Sequence, residues 1–460
     1  MRRGKPALIA GTCALVLLAG GVSAVLLREA PVVPAPPVPT PTPAPVRPPL
    51  LAPPGQDAAA PTAAGLQRAF ALGLTDPALG GSIAISVLDA VTGQVIYETD
   101  ARQVVTPAST AKIATAVASL TALPADRRLA TRVVAGSTPG EVVLIGGGDA
   151  SLAGPLTRPG YPRVARVADL ATQVRATLGA APVTRVVVDD SLYSGPLLGP
   201  GWRPQYVTSG DVAPVMSLMV DGGRMRRSPT KSARLPDPAL AAGRQLAALL
   251  GAPTAPVARG RAAAGARQLG EVLSPTVPQL VEAMLTRSDN DLAEALARQV
   301  ALSQGKPASF AGVTAALAGV LGEVLAKVGA PPGSVLLQDG SGLSRLDRVQ
   351  PGALTRLLAA VAGQDRERLF PVLSGLPVAG FDGTLDKRYR RGPGLPAAGV
   401  VRAKTGTLNG VSALAGLVRT RDGRLLAFDL TADAAPLGRT LATQVALDRL
   451  AAALAGCGCS

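Results

Sequence analysis

The sequence predicts a mixed α/β body that carries inserted β-rich material and stands behind an N-terminal apolar segment. Three observations predict it. Apolar alternation at 83–97 gives way to a helical apolar run from about residue 107, and the texture at 128–190 is short and β-rich. Helical periodicity then returns at 277–300, ahead of a group of strands at 400–430.

The elements follow in chain order. Met1–Lys5 is basic, and Ala7–Leu27 is an apolar stretch of 21 residues closed by Arg28, long enough to cross a bilayer with its basic end inside the cell. A secretory apolar region is usually shorter, roughly 7–15 residues, so residues 1–30 read as an uncleaved signal-anchor, with Val22-Ser23-Ala24 as the alternative cleavage site. Either reading exports the rest. Residues 31–62 are dense in proline, which favours extended conformations and gives a linker or stalk. Ile83, Ile85 and Val87 alternate, the chain turns at Asp89–Gly93, and Val95, Ile96 and Tyr97 complete a strand pair. Thr106-Pro107 supplies a helix start, threonine as cap and proline in the first turn, for a helix running through Leu120. Ser109 and Lys112 then lie three apart on one helix face. Short β segments at 132–134, 142–145 and 185–189, separated by glycine and proline, read as an insertion. Helices are expected at 277–285, 292–300, 351–363 and 441–454, and strands at 400–404, 413–418 and 425–430. The domain reading is 63–125 and 266–460 as two parts of one body, with 126–265 inserted between them.

Composition excludes several chemistries. The chain has no histidine, so it can build neither a Ser-His-Asp nor a Cys-His site, nor a histidine-ligated metal centre. Beyond Cys13 in the apolar run, only Cys457 and Cys459 remain, too few for a metal site; neither metal nor cofactor is expected. The net charge of +15 is carried almost wholly by arginine, with one cluster at Arg224, Arg226, Arg227 and Lys231. It reads as solvated surface, with attraction to an anionic wall or lipid head groups as the functional alternative. Aromatics are 2% of residues and no recognition-helix pattern is present, so nucleic acid is not an expected partner.

Three short words carry the chemistry: Ser109-Thr-Ala-Lys112, Ser288-Asp289-Asn290 and Lys404-Thr405-Gly406-Thr407. Only seven lysines stand among the 46 Lys plus Arg, and two of them lie in these words. Arginine does not serve as a proton acceptor, whereas a buried lysine does. Ser228-Pro-Thr-Lys231 and Ser303-Gln-Gly-Lys306 also fit Ser-x-x-Lys, but proline or glycine inside each prevents a helix that buries the lysine. A Ser288 hydroxyl can relay a proton, and the Asn290 amide both donates to and accepts from a peptide backbone; the plain alternative is turn chemistry between two helices. Lys404, Thr405 and Thr407 offer an ammonium and two hydroxyls to a substrate carboxylate, with Gly406 allowing close approach.

In this order the words resemble the penicillin-recognising serine D,D-peptidases and β-lactamases. The 176 positions between Lys112 and Ser288 exceed what a compact β-lactamase needs. With Gly146-Gly-Gly-Asp149, Val188-Asp-Asp-Ser-Leu192, Gly201-Trp202, Asp339-Gly-Ser-Gly-Leu-Ser-Arg345 and Asp382-Gly-Thr-Leu385, the chain from about 65 to 455 is similar to the class C low-molecular-mass D-alanyl-D-alanine carboxypeptidase/endopeptidases. The resemblance implies a transpeptidase-like α/β domain with two smaller β-rich domains inserted between the first two words. It implies Ser109 as nucleophile, Lys112 as base, Ser288 and Asn290 as relay and substrate holder, and Lys404, Thr405, Gly406 and Thr407 at the terminal carboxylate. The oxyanion hole would be the backbone N–H groups of Ser109 and Thr407, and Asp149 would meet the amino-bearing side chain of the stem peptide, although the family's Gly-Asp-Pro-Thr-Leu is here Asp149-Ala-Ser-Leu152. Peptidoglycan stem peptides are the implied substrates and β-lactams the implied inhibitors. No Glu-x-x-Leu-Asn segment supplies a deacylating base. The alternative is a non-catalytic wall-binding or β-lactam-sensing protein on the same fold, against which the intact Ser109, Lys112 and Ser288 argue.

Overall fold

The structure, a computed structural model, describes residues 58–228, 231–363 and 366–458. The signal-anchor expected over 1–30 and most of the 31–62 linker lie outside the described residues. Helix α1 (Ala63–Leu74) opens on Thr62, whose side chain accepts the Gly65 N–H. Strands β1 (Ala84–Asp89) and β2 (Val95–Thr99) pair antiparallel as the alternation predicts. Helix α2 (Ala111–Ala122) starts later than expected. Thr106 does not cap it; a single 3₁₀ turn, Ala108–Thr110, precedes it, and Ala108 has φ of 50°. The chain is thus bent sharply at the residue before Ser109.

The inserted region comprises β3 (Ala130–Ala135), β4 (Glu141–Ile145), α3 (Val167–Leu178), β5 (Arg185–Asp189), the one-turn α4 (Gln205–Thr208), α5 (Pro238–Leu249), β6 (Val257–Arg259) and β7 (Gln268–Leu273). All five strands of the insertion lie in one sheet of order β6-β5-β4-β3-β7. The reason is the parallel pairing of β4 with β5 and β5 with β6, which needs the crossovers that α3 and α5 supply. Because β7 pairs with β3, this sheet reaches residue 273, beyond the boundary expected at 265. Its core gathers Val133, Leu144, Val186 and Val188 against Leu170, Val174 and Leu246.

The second part of the main body brings α6 (Val277–Arg287), α7 (Asn290–Ser303), α8 (Phe310–Lys327), β8 (Val335–Leu336), β9 (Arg348–Val349), α9 (Pro351–Ala362), α10 (Arg366–Gly375), β10 (Arg402–Leu408), β11 (Val411–Arg419), β12 (Leu425–Ala432) and α11 (Thr440–Ala455). Its antiparallel sheet has the order β10-β11-β12-β1-β2, so strands from both sides of the insertion close one sheet. Both faces are covered, which explains why β11 and β12 are apolar at almost every position. Leu414, Val418, Phe428 and Leu430 face α1 and α11, whereas Ala415, Leu417 and Ala427 face the helical layer that contains α2. In α2 the ten residues Ala111–Leu120 are all buried, as an all-round small apolar helix requires. Helix α8 is long and apolar enough to cross a membrane by composition, but Val313, Leu317 and Leu321 pack it into this same core.

Candidate active site

Ser109 stands at the edge of a cleft of about 430 Å³ lined also by Ser288, Asn290, Thr405 and Thr407 from the main body, and by Ser151, Arg224 and Lys231 from the insertion. Two glycines make room for the bend that presents it. A Cβ on Gly342 (φ 77°) would come within 2.0 Å of the Ala108 carbonyl oxygen, and one on Gly406 within 2.7 Å of the Pro107 oxygen. The close approach permitted by Gly406 is therefore to the segment leading into Ser109.

Lys112, one helical step on, is fully buried. Its Nζ donates to Ser109 Oγ at 3.0 Å, to Asn290 Oδ1 at 2.6 Å and to the Ser341 carbonyl at 2.5 Å. The Asn290 amide is held in that sense because its Nδ2 donates to the Asp211 carbonyl at 2.8 Å. Burial lowers the Lys112 pKa from 10.5 to about 8, against the opposing charges of Asp339, Glu294, Asp289 and Asp347.

The second word forms the junction of two helices. Ser288 ends α6 in the left-handed conformation (φ 54°, ψ 42°), and Asp289 caps α7 by accepting the Leu292 N–H at 3.0 Å. The turn reading and the site reading thus describe the same residues: the turn aims Ser288 and Asn290 into the cleft. Ser288 Oγ accepts from Lys404 Nζ at 2.8 Å, and Lys404 also donates to the Thr405 carbonyl at 2.9 Å. Lys404 is fully buried, and burial together with the Lys112 charge pushes its pKa well down. Carboxylates surround Lys112, whereas the charge that acts on Lys404 is that of Lys112 itself. Thr405 Oγ1 lies 2.9 Å from Thr384 Oγ1, and Thr407 Oγ1 accepts from Gln444 Nε2 at 3.2 Å.

The structure therefore brings Ser109, Ser288, Asn290, Thr405 and Thr407 to one cleft, with Lys112 and Lys404 buried behind it and bonded to Ser109 and Ser288. It does not bring Asp149 to the cleft wall. Asp149 is 3% exposed and turned inward, one oxygen accepting from Ser151 N and Oγ and the other without a hydrogen-bond partner, and burial raises its pKa to about 6. Its neighbours Ala150 and Ser151 line the cleft in its place. Of the two decoy lysines, Lys231 is ion-paired with Asp211 and Lys306 is exposed. Arg224 and Lys231 of the basic cluster are cleft residues rather than plain outer surface. The Ser341 carbonyl and Thr384, from the Asp339-Gly-Ser and Asp382-Gly-Thr segments, complete the hydrogen bonding together with the Asp211 carbonyl, to which the sequence does not point. Among the described residues no cluster of three acidic or cysteine side chains is placed to hold a metal ion.

Fold and cleft together define an α/β protein in which a cleft serine is hydrogen-bonded to a fully buried lysine. The family model described as D-Ala-D-Ala carboxypeptidase 3 (S13) matches residues 66–235 and 226–454, and the chain belongs to this family. It is 43% identical over 426 residues to carboxypeptidase DacB of Mycolicibacterium smegmatis and 40% identical over 431 residues to a carboxypeptidase of Mycobacterium tuberculosis, each match covering 90% of both chains. Among solved structures, penicillin binding protein 4 (dacB) from Haemophilus influenzae shares the fold, with TM-score 0.67 at 22% identity over 84% of this chain and 97% of that one.

Proposed function

We propose that this protein is a serine D,D-peptidase that releases terminal D-alanine from peptidoglycan stem peptides and opens D-alanine cross-links through an acyl-Ser109 intermediate, and that β-lactams acylate the same serine. Membership of the carboxypeptidase family and the two long carboxypeptidase matches support the activity. The observation that carries the mechanism is the set of three partners on Lys112 Nζ. Asn290 Oδ1 and the Ser341 carbonyl are acceptors only, so they take two of its N–H groups. In the neutral amine the lone pair is left facing Ser109 Oγ at 3.0 Å, where it takes the hydroxyl proton as the oxygen attacks the carbonyl.

Ser288 completes the proton path. Its oxygen accepts from Lys404, so its own proton is free to pass to the leaving amine, and Lys404 replaces it. A terminal carboxylate bound beside Thr405 and Thr407 favours the charged form of Lys404, which supplies that proton when substrate is in place. The backbone N–H groups of Ser109 and Thr407 receive the developing oxyanion. Asn290 holds the substrate backbone, and Gly406 serves by letting β10 reach the Ser109 bend. The substrate lies outside the cytoplasmic membrane, and the apolar run Ala7–Leu27 anchors the body there.

Incubation of the purified protein with a pentapeptide ending in D-Ala-D-Ala and with a cross-linked muropeptide tests the reading. Release of D-alanine and of monomer, both lost in Ser109→Ala, is the expected result; no release from either substrate would refute it.

A further inference from the structure

The turn that supplies the Ser341 carbonyl to Lys112 is built around one buried side chain. Asp339 is fully buried, and its carboxylate accepts four N–H donors: Ser341 N at 3.1 Å, Gly342 N at 2.7 Å, Ser344 N at 2.8 Å and Trp202 Nε1 at 2.6 Å. Three of these fold residues 339–344 around it, and the fourth comes from the inserted region. Trp202 is the chain's one tryptophan, and it packs edge-on against Phe310 of α8. The same turn is gripped from two helices, since Thr115 of α2 donates to the Gly340 carbonyl at 2.7 Å and Glu294 of α7 accepts the Gly340 N–H at 3.0 Å. At Gly342 it abuts the Ala108 carbonyl. One turn therefore touches both the bend before Ser109 and the amine beside it.

Resting on the proposed acyl-transfer reading, we propose that Asp339 is a positioning residue for Lys112: its carboxylate fixes the turn that aims the Ser341 carbonyl at Nζ, and Trp202 ties that turn to the insertion. A carbonyl at 2.5 Å decides which N–H the amine gives away, and hence where its lone pair points. Asp339 acts on the same amine by charge. The groups facing Lys112 are Asp339 and Asp347 from the segment after β8, Asp289 and Glu294 from α7 and its cap, and Lys404 from β10. Arg298 neutralises part of this set by pairing with Glu294 at 3.0 Å. Asp339 is the largest of the charges that raise the Lys112 pKa, so its removal lowers that pKa further. Its loss also eases ionisation of Glu294, held at about 7 by burial and by Asp339, and this offsets part of the fall.

Asp339→Asn keeps an acceptor for Ser341 and Gly342 but turns an NH₂ toward Trp202 and Ser344, while Trp202→Phe removes one donor and leaves the carboxylate charge. The seven lysines permit a direct reading: ¹³Cε-lysine NMR titration, with the Lys112 signal assigned through Lys112→Arg. For Asp339→Asn, the Lys112 midpoint should fall by about half a pH unit or more. Benzylpenicillin acylation should slow by about 30-fold or more, with its acid limb displaced to lower pH. For Trp202→Phe, the midpoint should hold while acylation slows about fivefold. An unmoved Lys112 midpoint in Asp339→Asn, whatever the rate, would reduce Asp339 to a fold-stabilising residue and overturn the proposal. If Asp339→Asn does not fold, an acylation rate in Trp202→Phe equal to wild type overturns it instead. Absence of acylation in the wild-type protein would sink the peptidase reading alone, because the titration does not depend on it.

Discussion

Between pH 6 and pH 8 the rate of Ser109 acylation by benzylpenicillin should rise about fiftyfold, and above pH 8 only about twofold more. The perturbation acts on Lys112, whose pKa is brought down to about 8 by burial, with Asp339, Glu294, Asp289 and Asp347 preventing a larger fall. Only the neutral amine accepts the serine proton, and at a pKa of about 8 it amounts to roughly 1% of the protein at pH 6 and about half at pH 8. The sign is that of a base whose activity grows as protons leave. The assay is an intact-mass time course at limiting penicillin across buffers of constant ionic strength, with Lys112→Arg run beside the wild type. The arginine variant should be slower by about a thousandfold and flat across the range, because guanidinium keeps its proton. A flat wild-type profile, or an arginine variant within tenfold of wild type, would refute the assignment of Lys112 as base.

Other substitutions probe the frame around the amine. Gly342→Ala would place a Cβ 2.0 Å from the Ala108 oxygen at φ 77°, so acylation should slow by at least about tenfold and Tm fall by several degrees, read by mass spectrometry and calorimetry. Arg234 and Asp291 form a buried ion pair at 3.1 Å between the insertion and α7. Arg234→Ala strands that carboxylate at a cost of about 3–5 kcal/mol, and Tm should drop by about 5 °C, with partial recovery in the Arg234→Ala, Asp291→Ala double variant. Asp149→Asn should change peptide turnover and penicillin acylation by the same factor, since Asp149 does not line the cleft; a loss confined to peptide would restore a direct substrate contact. Burial raises the Asp149 pKa to about 6, so the unfolded chain sheds its proton first and this group costs stability as pH rises from about 4 to 6; Asp149→Asn should flatten that part of the Tm profile.

The site was legible because its residue types are scarce. With seven lysines, two asparagines and no histidine, the words around Lys112, Asn290 and Lys404 stood out from an arginine-rich background. The β1–β2 pair followed from alternation, and α6, α7, α9 and α11 from apolar periodicity. What the sequence does not carry is non-local. The parallel pairing of β4 with β5 is set by the α3 crossover, which the texture of single strands does not reveal. An alanine at φ 50° has no local signature; Ala108 is tolerated because Gly342 and Gly406 leave space for its neighbours, and both are more than 200 positions away. Ser341 serves through a backbone oxygen, which any residue type would offer. The resemblance places Asp149 against the substrate, but its side chain turns inward, and Tyr193 and Gln299 crowd Gly148 beside it.

The most direct measurement of the central claim is the intact mass of the protein after benzylpenicillin, followed by peptide mapping. One penicilloyl adduct per chain, located on Ser109 and absent from Ser109→Ala, is the predicted result. An adduct that survives in Ser109→Ala, or that maps to Ser228 or Ser303, would contradict it.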